Sequence, residues 1–164
     1  MTSLKRNIRI ENATPDQIDS LKKLMKLLIS RFGDTFDMKR FDWGIRRRIY
    51  DPLQRHGILI AIDEDKDNEV IGMIIAELRI DPFGTSEGYI KQVYLMEEYR
   101  GQGIGEMLVK KAIEHLQKIK VEKIKVNIKE KAKEAASLYA KMNFKKVYEA
   151  VSYTHLTLPT ILLV

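Results

Sequence analysis

Between Val93 and Gly105 the sequence reads VYLMEEYRGQGIG, and this stretch constrains the fold more than any other. An apolar strand runs into Arg100-Gly101-Gln102-Gly103-Ile104-Gly105, and a segment with helical apolar spacing comes directly after it. Glycines at alternate positions carry no Cβ to keep a ligand away from the main chain. The helix after the turn offers unpaired N–H groups and roughly half a positive charge at its start. A strand, a glycine turn and a helix N-terminus in this order form an anion site of pyrophosphate size. The plainer alternative is a tight strand-to-helix turn without a ligand.

Two familiar phosphate loops fit poorly. A dinucleotide fingerprint needs G-x-G-x-x-G, and a P-loop needs G-x-x-x-x-G-K-[ST]. Here the spacing is G-x-G-x-G, with no Lys-Ser/Thr after it. The stretch resembles the coenzyme A loop of the GNAT superfamily of N-acetyltransferases, R/Q-x-x-G-x-G/A. Arg100, Gly103 and Gly105 occupy the patterned positions, with Tyr99 before them and Ile104 between. The resemblance continues through 104–119, 123–128 and the segment EAASLYAKMNF at 134–144. It is detailed over residues 88–147; earlier it holds only in the order of strands and helices.

At 164 residues the chain is long enough for one domain with helices packed on a sheet. With 45% hydrophobic and 32% charged residues it is globular rather than disordered. No run of ~18 apolar residues marks a membrane span, and MTSLKRNIRI lacks the apolar core of a secretory signal. The cytoplasm is the default location. With no cysteine, disulfides, thiolate metal sites and a cysteine nucleophile are excluded. The net charge of +6 favours anionic ligands. Much of the excess falls on outer helix faces, in Lys110-Lys111 and the run 129–133, where lysines keep a surface solvated. Nucleic acid is disfavoured, since neither a stacking-aromatic motif nor zinc spacing accompanies the charge.

Alternation over 7–13 predicts a first strand. Thr14-Pro15-Asp16 predicts a helix start, with Thr14 as N-cap and Pro15 at the first helical position. Ile18, Leu21, Leu24, Met25 and Leu28 form its apolar stripe. A loop is expected over 34–42 and a second helix over 43–55, interrupted near Asp51-Pro52. Strands are expected at 57–63, 69–80 and 88–96, then a helix at 104–119, a strand at 123–128 and a helix at 132–142. Adjacent strands predict antiparallel pairing, and the strand–helix–strand around the glycine turn predicts one parallel pair. The fold class is α/β (α+β mixed), a mixed, mostly antiparallel central sheet with helices on both faces. GNAT domains share that layout.

Residues 1–150 read as a single acyltransferase domain. Residues 151–164, VSYTHLTLPTILLV, break with the lysine-rich idiom before them and leave two readings open. GNAT domains end in two antiparallel strands, which 144–154 and 160–164 would supply. Alternatively, the segment is a non-native tail of translated adapter sequence.

The resemblance implies acetyl-CoA as co-substrate, with no metal. The amides of Gln102, Gly103, Ile104 and Gly105, beyond the turn at Gly101, would hold the pyrophosphate, and Arg100 would add charge. The pantetheine arm would bond the backbone of Val93 and Leu95 like an extra strand, with the N–H near Leu95 polarising the thioester carbonyl. Tyr139 stands where the family commonly carries a tyrosine near the CoA sulfur, and is the candidate acid; its alternative is a packing role in the core. Without cysteine a thiol acyl-enzyme is excluded, and direct attack in a ternary complex is favoured. Glu87 is the candidate base, acting through water, against the simpler role of a surface carboxylate. His56 is a candidate border of the substrate cleft. Two departures from the family stand out: Ala132 where an Asn is frequent, and Tyr89 where many relatives carry Glu. The expected acceptor is a primary amine: a protein N-terminus, a lysine, a polyamine or another small amine. Residues 32–57 and the C-terminal strands would select it, and a homodimer is compatible with all of this. The rival function is a non-catalytic acyl-CoA-binding regulatory module of the same fold.

Overall fold

The computed structural model describes residues 7–128, 133–151 and 157–163. Strands β1 (Ile8–Asn12), β2 (Ile58–Asp63), β3 (Glu69–Ile80) and β4 (Ser86–Leu95) pair antiparallel in chain order. β4 then runs parallel to β5 (Lys123–Asn127). Beyond it β7 (Thr157–Leu163) lies between β5 and β6 (Phe144–Val151), antiparallel to both. The helices are α1 (Ile18–Arg31), α2 (Met38–Ile49), α3 (Ile104–Lys118) and α4 (Lys133–Lys141). This is the mixed, mostly antiparallel sheet that the sequence predicts.

Every residue of β2 is buried. A strand of that kind needs cover on both sheet faces, which is why ILIAID reads as a continuous apolar run instead of an alternating one. α3 supplies cover through Leu108 and Leu116, both fully buried. It approaches closely at Gly88, where a Cβ would lie 2.8 Å from the Leu116 methyl carbons. α1 packs on β3 and β4 and buries Leu21 and Leu24. Its entry is a short 3-10 turn, Pro15–Gln17, where the Thr14 N–H donates to Gln17 Oε1 at 2.8 Å.

The second helix differs from expectation. It begins at Met38, inside the predicted loop, because Asp37 caps it by accepting from the Arg40 N–H at 3.1 Å. It ends at Ile49, before Asp51-Pro52, and the chain continues through turns and a 3-10 segment, Arg55–Gly57. At the C-terminus, the expected strand 160–164 begins earlier, at Thr157. Residues 152–156 and Val164 lie outside the described residues, as do Ala132 and most of the lysine run at 129–133.

The ladder between β3 and β4 carries one irregularity. Its register passes from Ile75↔Gln92 to Ala76↔Ile90, so Lys91 is an extra residue in β4. The parallel ladder with β5 stops at Ile90↔Val126, immediately before it.

Candidate active site

A bulge bends its strand and increases the local twist. At Lys91 it falls where β4 leaves β5, so the residues up to Leu95 keep β3 as a neighbour but, among the described residues, have no strand on their other side. The resulting gap is a cleft of about 760 Å³ lined by Val93, Leu95, Arg100, Gly103, Leu138 and Tyr139, among others. That volume suits a small organic ligand.

The ladder phase tells which main-chain groups face the cleft. The Met96 N–H donates to the Ile71 carbonyl at 2.9 Å, which makes that pair a hydrogen-bonded one. Bonded and non-bonded pairs alternate in an antiparallel ladder. Val93 and Leu95 therefore sit in non-bonded pairs, opposite Ile74 and Gly72, with their amide groups turned away from β3. The Leu95 carbonyl is taken by Arg100, whose Nε donates to it at 3.0 Å. Arg100 thereby braces the glycine turn against the end of the strand, with its guanidinium 5.5 Å from the Tyr94 ring centre.

Gly101 and Gly103 take φ of +76° and +82°, a left-handed backbone that other residues enter only with strain. Neither has a heavy atom within 4 Å of where a Cβ would stand, so backbone freedom is what these sites require. Gly103 is the N-cap of α3, and the first intrahelical bond runs from the Met107 N–H to its carbonyl at 3.1 Å. The N–H groups of Ile104, Gly105 and Glu106 precede that bond and point out of the helix end. A second tie holds the turn from behind: the Tyr99 hydroxyl donates to Asp63 Oδ2 at 2.6 Å, with both residues buried.

Tyr139 comes from α4 across the cleft. It is 2% exposed, its ring meets Phe144 edge-on at 5.2 Å, and among the described residues its hydroxyl has no hydrogen-bond partner. Burial pushes this phenol well above its ordinary range, so it stays protonated at neutral pH. A buried hydroxyl without a partner is uncommon and marks a place where a ligand atom can complete the bond. At the glycine end, Glu106 accepts from Lys141 at 3.2 Å and lies 3.5 Å from Lys110. The Lys141 hydrogen bond holds the Glu106 carboxyl below the usual range. Arg31 of α1 reaches Glu134 of α4 at 3.1 Å, linking two helices that line the cleft. Among the described residues no group of three His, Asp or Glu is placed to hold a metal, and no helix is long and apolar enough to cross a membrane.

The model of the acetyltransferase (GNAT) family matches residues 21–144. The chain belongs to the GNAT family. Comparison with curated protein sequences gave no match. Among solved structures, a chain of the NatC complex bound to Gag peptide and CoA superposes with a TM-score of 0.79 at 21% identity, covering 95% of this chain and 97% of that one. Arabidopsis thaliana NAA60 in complex with a bisubstrate analogue gives 0.77 at 16%, covering 96% and 98%. Arabidopsis thaliana Naa50 in complex with the bisubstrate analogue CoA-Ac-MVNAL gives 0.72 at 18%, covering 94% and 97%. At these identities the likeness establishes the GNAT fold.

In this GNAT domain the fold brings Val93, Leu95, Arg100, Gly101, Gly103, Gly105 and Tyr139 to one cleft. Ile104 opens α3 at its rim and is itself buried, while the Gln102 side chain turns back to the Glu98 carbonyl at 3.4 Å. Glu87 is not among the cleft-lining residues. It lies in the half of β4 paired with β5, six residues before Val93, and accepts from Lys125 Nζ and the Tyr89 hydroxyl at 3.0 Å each. The Lys125 bond holds its carboxyl below the usual range, the wrong direction for a base. His56 is exposed beside Arg55 and also stands outside the cleft lining. Sequence reasoning missed Asp63, Glu106 and Lys141. Only Glu106 left a signal, as an acid in the first turn of a helix.

Proposed function

We propose that the chain is an N-acetyltransferase that moves the acetyl group of acetyl-CoA to a primary amine by direct attack. One observation carries this: an unpaired strand edge at Val93 and Leu95 ends at a helix N-terminus and faces a buried, partnerless tyrosine hydroxyl. The fit to acetyl-CoA rests on three features of the same cleft. The strand edge suits an amide-bearing arm, the turn at Gly101–Gly103 and the first amides of α3 suit a pyrophosphate, and the Tyr139 hydroxyl needs a partner.

The co-substrate supplies an activated acyl group on sulfur. This chain's residues do the rest. Val93 holds the arm by its main chain, and the Leu95 N–H, aimed into the cleft, polarises the acyl oxygen. Arg100 keeps the turn and the strand end in one fixed relation. Tyr139 retains its proton because it is buried, gives it to the departing sulfur, and regains one from the attacking nitrogen, which sheds a proton on becoming the amide. Orientation in the ternary complex supplies much of the rate. Glu87 has no part in this scheme. A peptide N-terminus is the favoured acceptor, supported by relatives of this fold bound to a Gag peptide and to the analogue CoA-Ac-MVNAL.

Thiol release from acetyl-CoA tests the reading, with purified protein and three amine classes: free peptide N-termini, lysine side chains of N-blocked peptides, and polyamines. Release that requires an amine, fastest with a free N-terminus, is expected. Acetyl-CoA binding without release on any amine would instead mark a non-catalytic acyl-CoA-binding module.

A further inference from the structure

We propose that the outer face of α2 is a docking surface for single-stranded RNA. At 3.6 residues per turn, Lys39, Arg40, Trp43, Arg46, Arg47 and Tyr50 fall within roughly 120° of arc. All six are exposed. The opposite side of the helix carries Ile45 and Ile49, 4% and 3% exposed, and Arg48, which pairs with Glu77 at 3.2 Å. The arc therefore holds four cations, two aromatic rings and no acid. Asp42, the acid within this helix, lies on the flank and pairs with Lys22 at 3.4 Å.

Several lysines elsewhere on the surface are neutralised within the protein. Lys66, Lys110, Lys111 and Lys141 each meet a carboxylate. Among the described residues, Lys39, Arg40, Arg46 and Arg47 form no ion pair. Beside them Trp43, the chain's one tryptophan, is 65% exposed, with the Arg47 guanidinium 4.4 Å from its ring centre. Tyr50 is 59% exposed. Flat rings set among free cations match what a single strand presents, which is unpaired base faces alternating with phosphates. A duplex hides its base faces, and RNA is the nucleic acid that commonly exposes them in loops and ends. A bilayer fits less well, because the aliphatic side of α2 is already committed to the protein core. The linear chain disfavours nucleic acid for want of a stacking-aromatic motif; the fold turns Trp43 outward and supplies a stacking ring. No residue of α2 lines the cleft, so the proposal is independent of the catalytic one.

The sole tryptophan reports directly on this surface. The full chain is titrated with an oligouridylate while Trp43 fluorescence is monitored, and separately with a fluorescein-labelled copy, each at several salt concentrations. Quenching is expected, with an affinity that falls as salt rises. The double variant Arg46→Glu/Arg47→Glu should bind at least about tenfold more weakly, and Trp43→Ala several-fold more weakly, with unchanged melting curves in both. Binding without quenching, or binding that both variants retain, overturns the proposal. So does equal affinity for heparin, which has charge but no bases, or tighter binding to phosphatidylserine vesicles than to RNA.

Discussion

The two halves of β4 belong to one continuous strand yet live in different environments. From Glu87 to Ile90 the strand gains a β5 ladder, and its polar side chains close on one another, Glu87 with Lys125 and Tyr89. After the extra residue Lys91 it keeps β3 alone, and the edge turned from β3 opens into the cleft. The first half stabilises the sheet. The second exposes the main-chain groups that a sheet ordinarily consumes, and it faces α4 across the cleft instead of a paired strand. What distinguishes them is one inserted residue and the pairing it ends.

That contrast can be broken most completely at the glycine turn. Gly103→Glu places a carboxylate where an anion would bind and forces a left-handed backbone on a residue with a Cβ. Acetyl-CoA is expected to raise the melting temperature of the wild-type protein and to leave that of the folded variant unchanged. An equal shift in both would remove the open half of β4 as a ligand site.

Tyr139→Phe keeps the ring and its contact with Phe144 but removes the proton. Turnover should fall roughly ten- to a thousandfold, with little change in acetyl-CoA affinity, since the hydroxyl matters most once charge develops. Steady-state rates within twofold of wild type would make Tyr139 a packing residue. In the closed half, Glu87→Gln should leave turnover within about twofold and lower stability by ~1 kcal/mol or less. A large loss of rate there would return Glu87 to the reaction.

Deleting residues 157–164 asks whether the far side of the sheet supports the cleft. β7 joins β5 to β6, so its removal leaves both with an unpaired edge. A loss of several kcal/mol is expected by urea titration; an unaltered unfolding curve would identify the segment as a foreign tail.

The smallest effect is electrostatic. Burial raises the Tyr139 phenol above its ordinary value near 10, so the unfolded chain ionises first as pH rises. The stabilisation this contributes is complete below pH ~10 and declines above it, by about 1 kcal/mol per unit. Urea unfolding at pH 10 and 11 should show a steeper decline in wild type than in Tyr139→Phe, and equal slopes would contradict the burial of this hydroxyl.

Much of this was legible in the linear chain because it depends on local rules. The apolar run of β2, the stripe of α1, the glycine turn and the start of α3 derive from periodicity, capping and backbone freedom, each a property of a few neighbouring residues. Tyr139 and the main chain of Val93 and Leu95 were reachable by resemblance alone. Tertiary structure decided the rest, because pairings between distant segments leave no local mark. It placed the bulge at Lys91 and so the end of the β5 ladder, separated Glu87 from the cleft, and tied Tyr99 to Asp63 across 36 positions of sequence. It also turned Trp43 out to solvent, where a helix begun five residues earlier by the Asp37 cap puts its core-facing side at Ile45 and Ile49 instead.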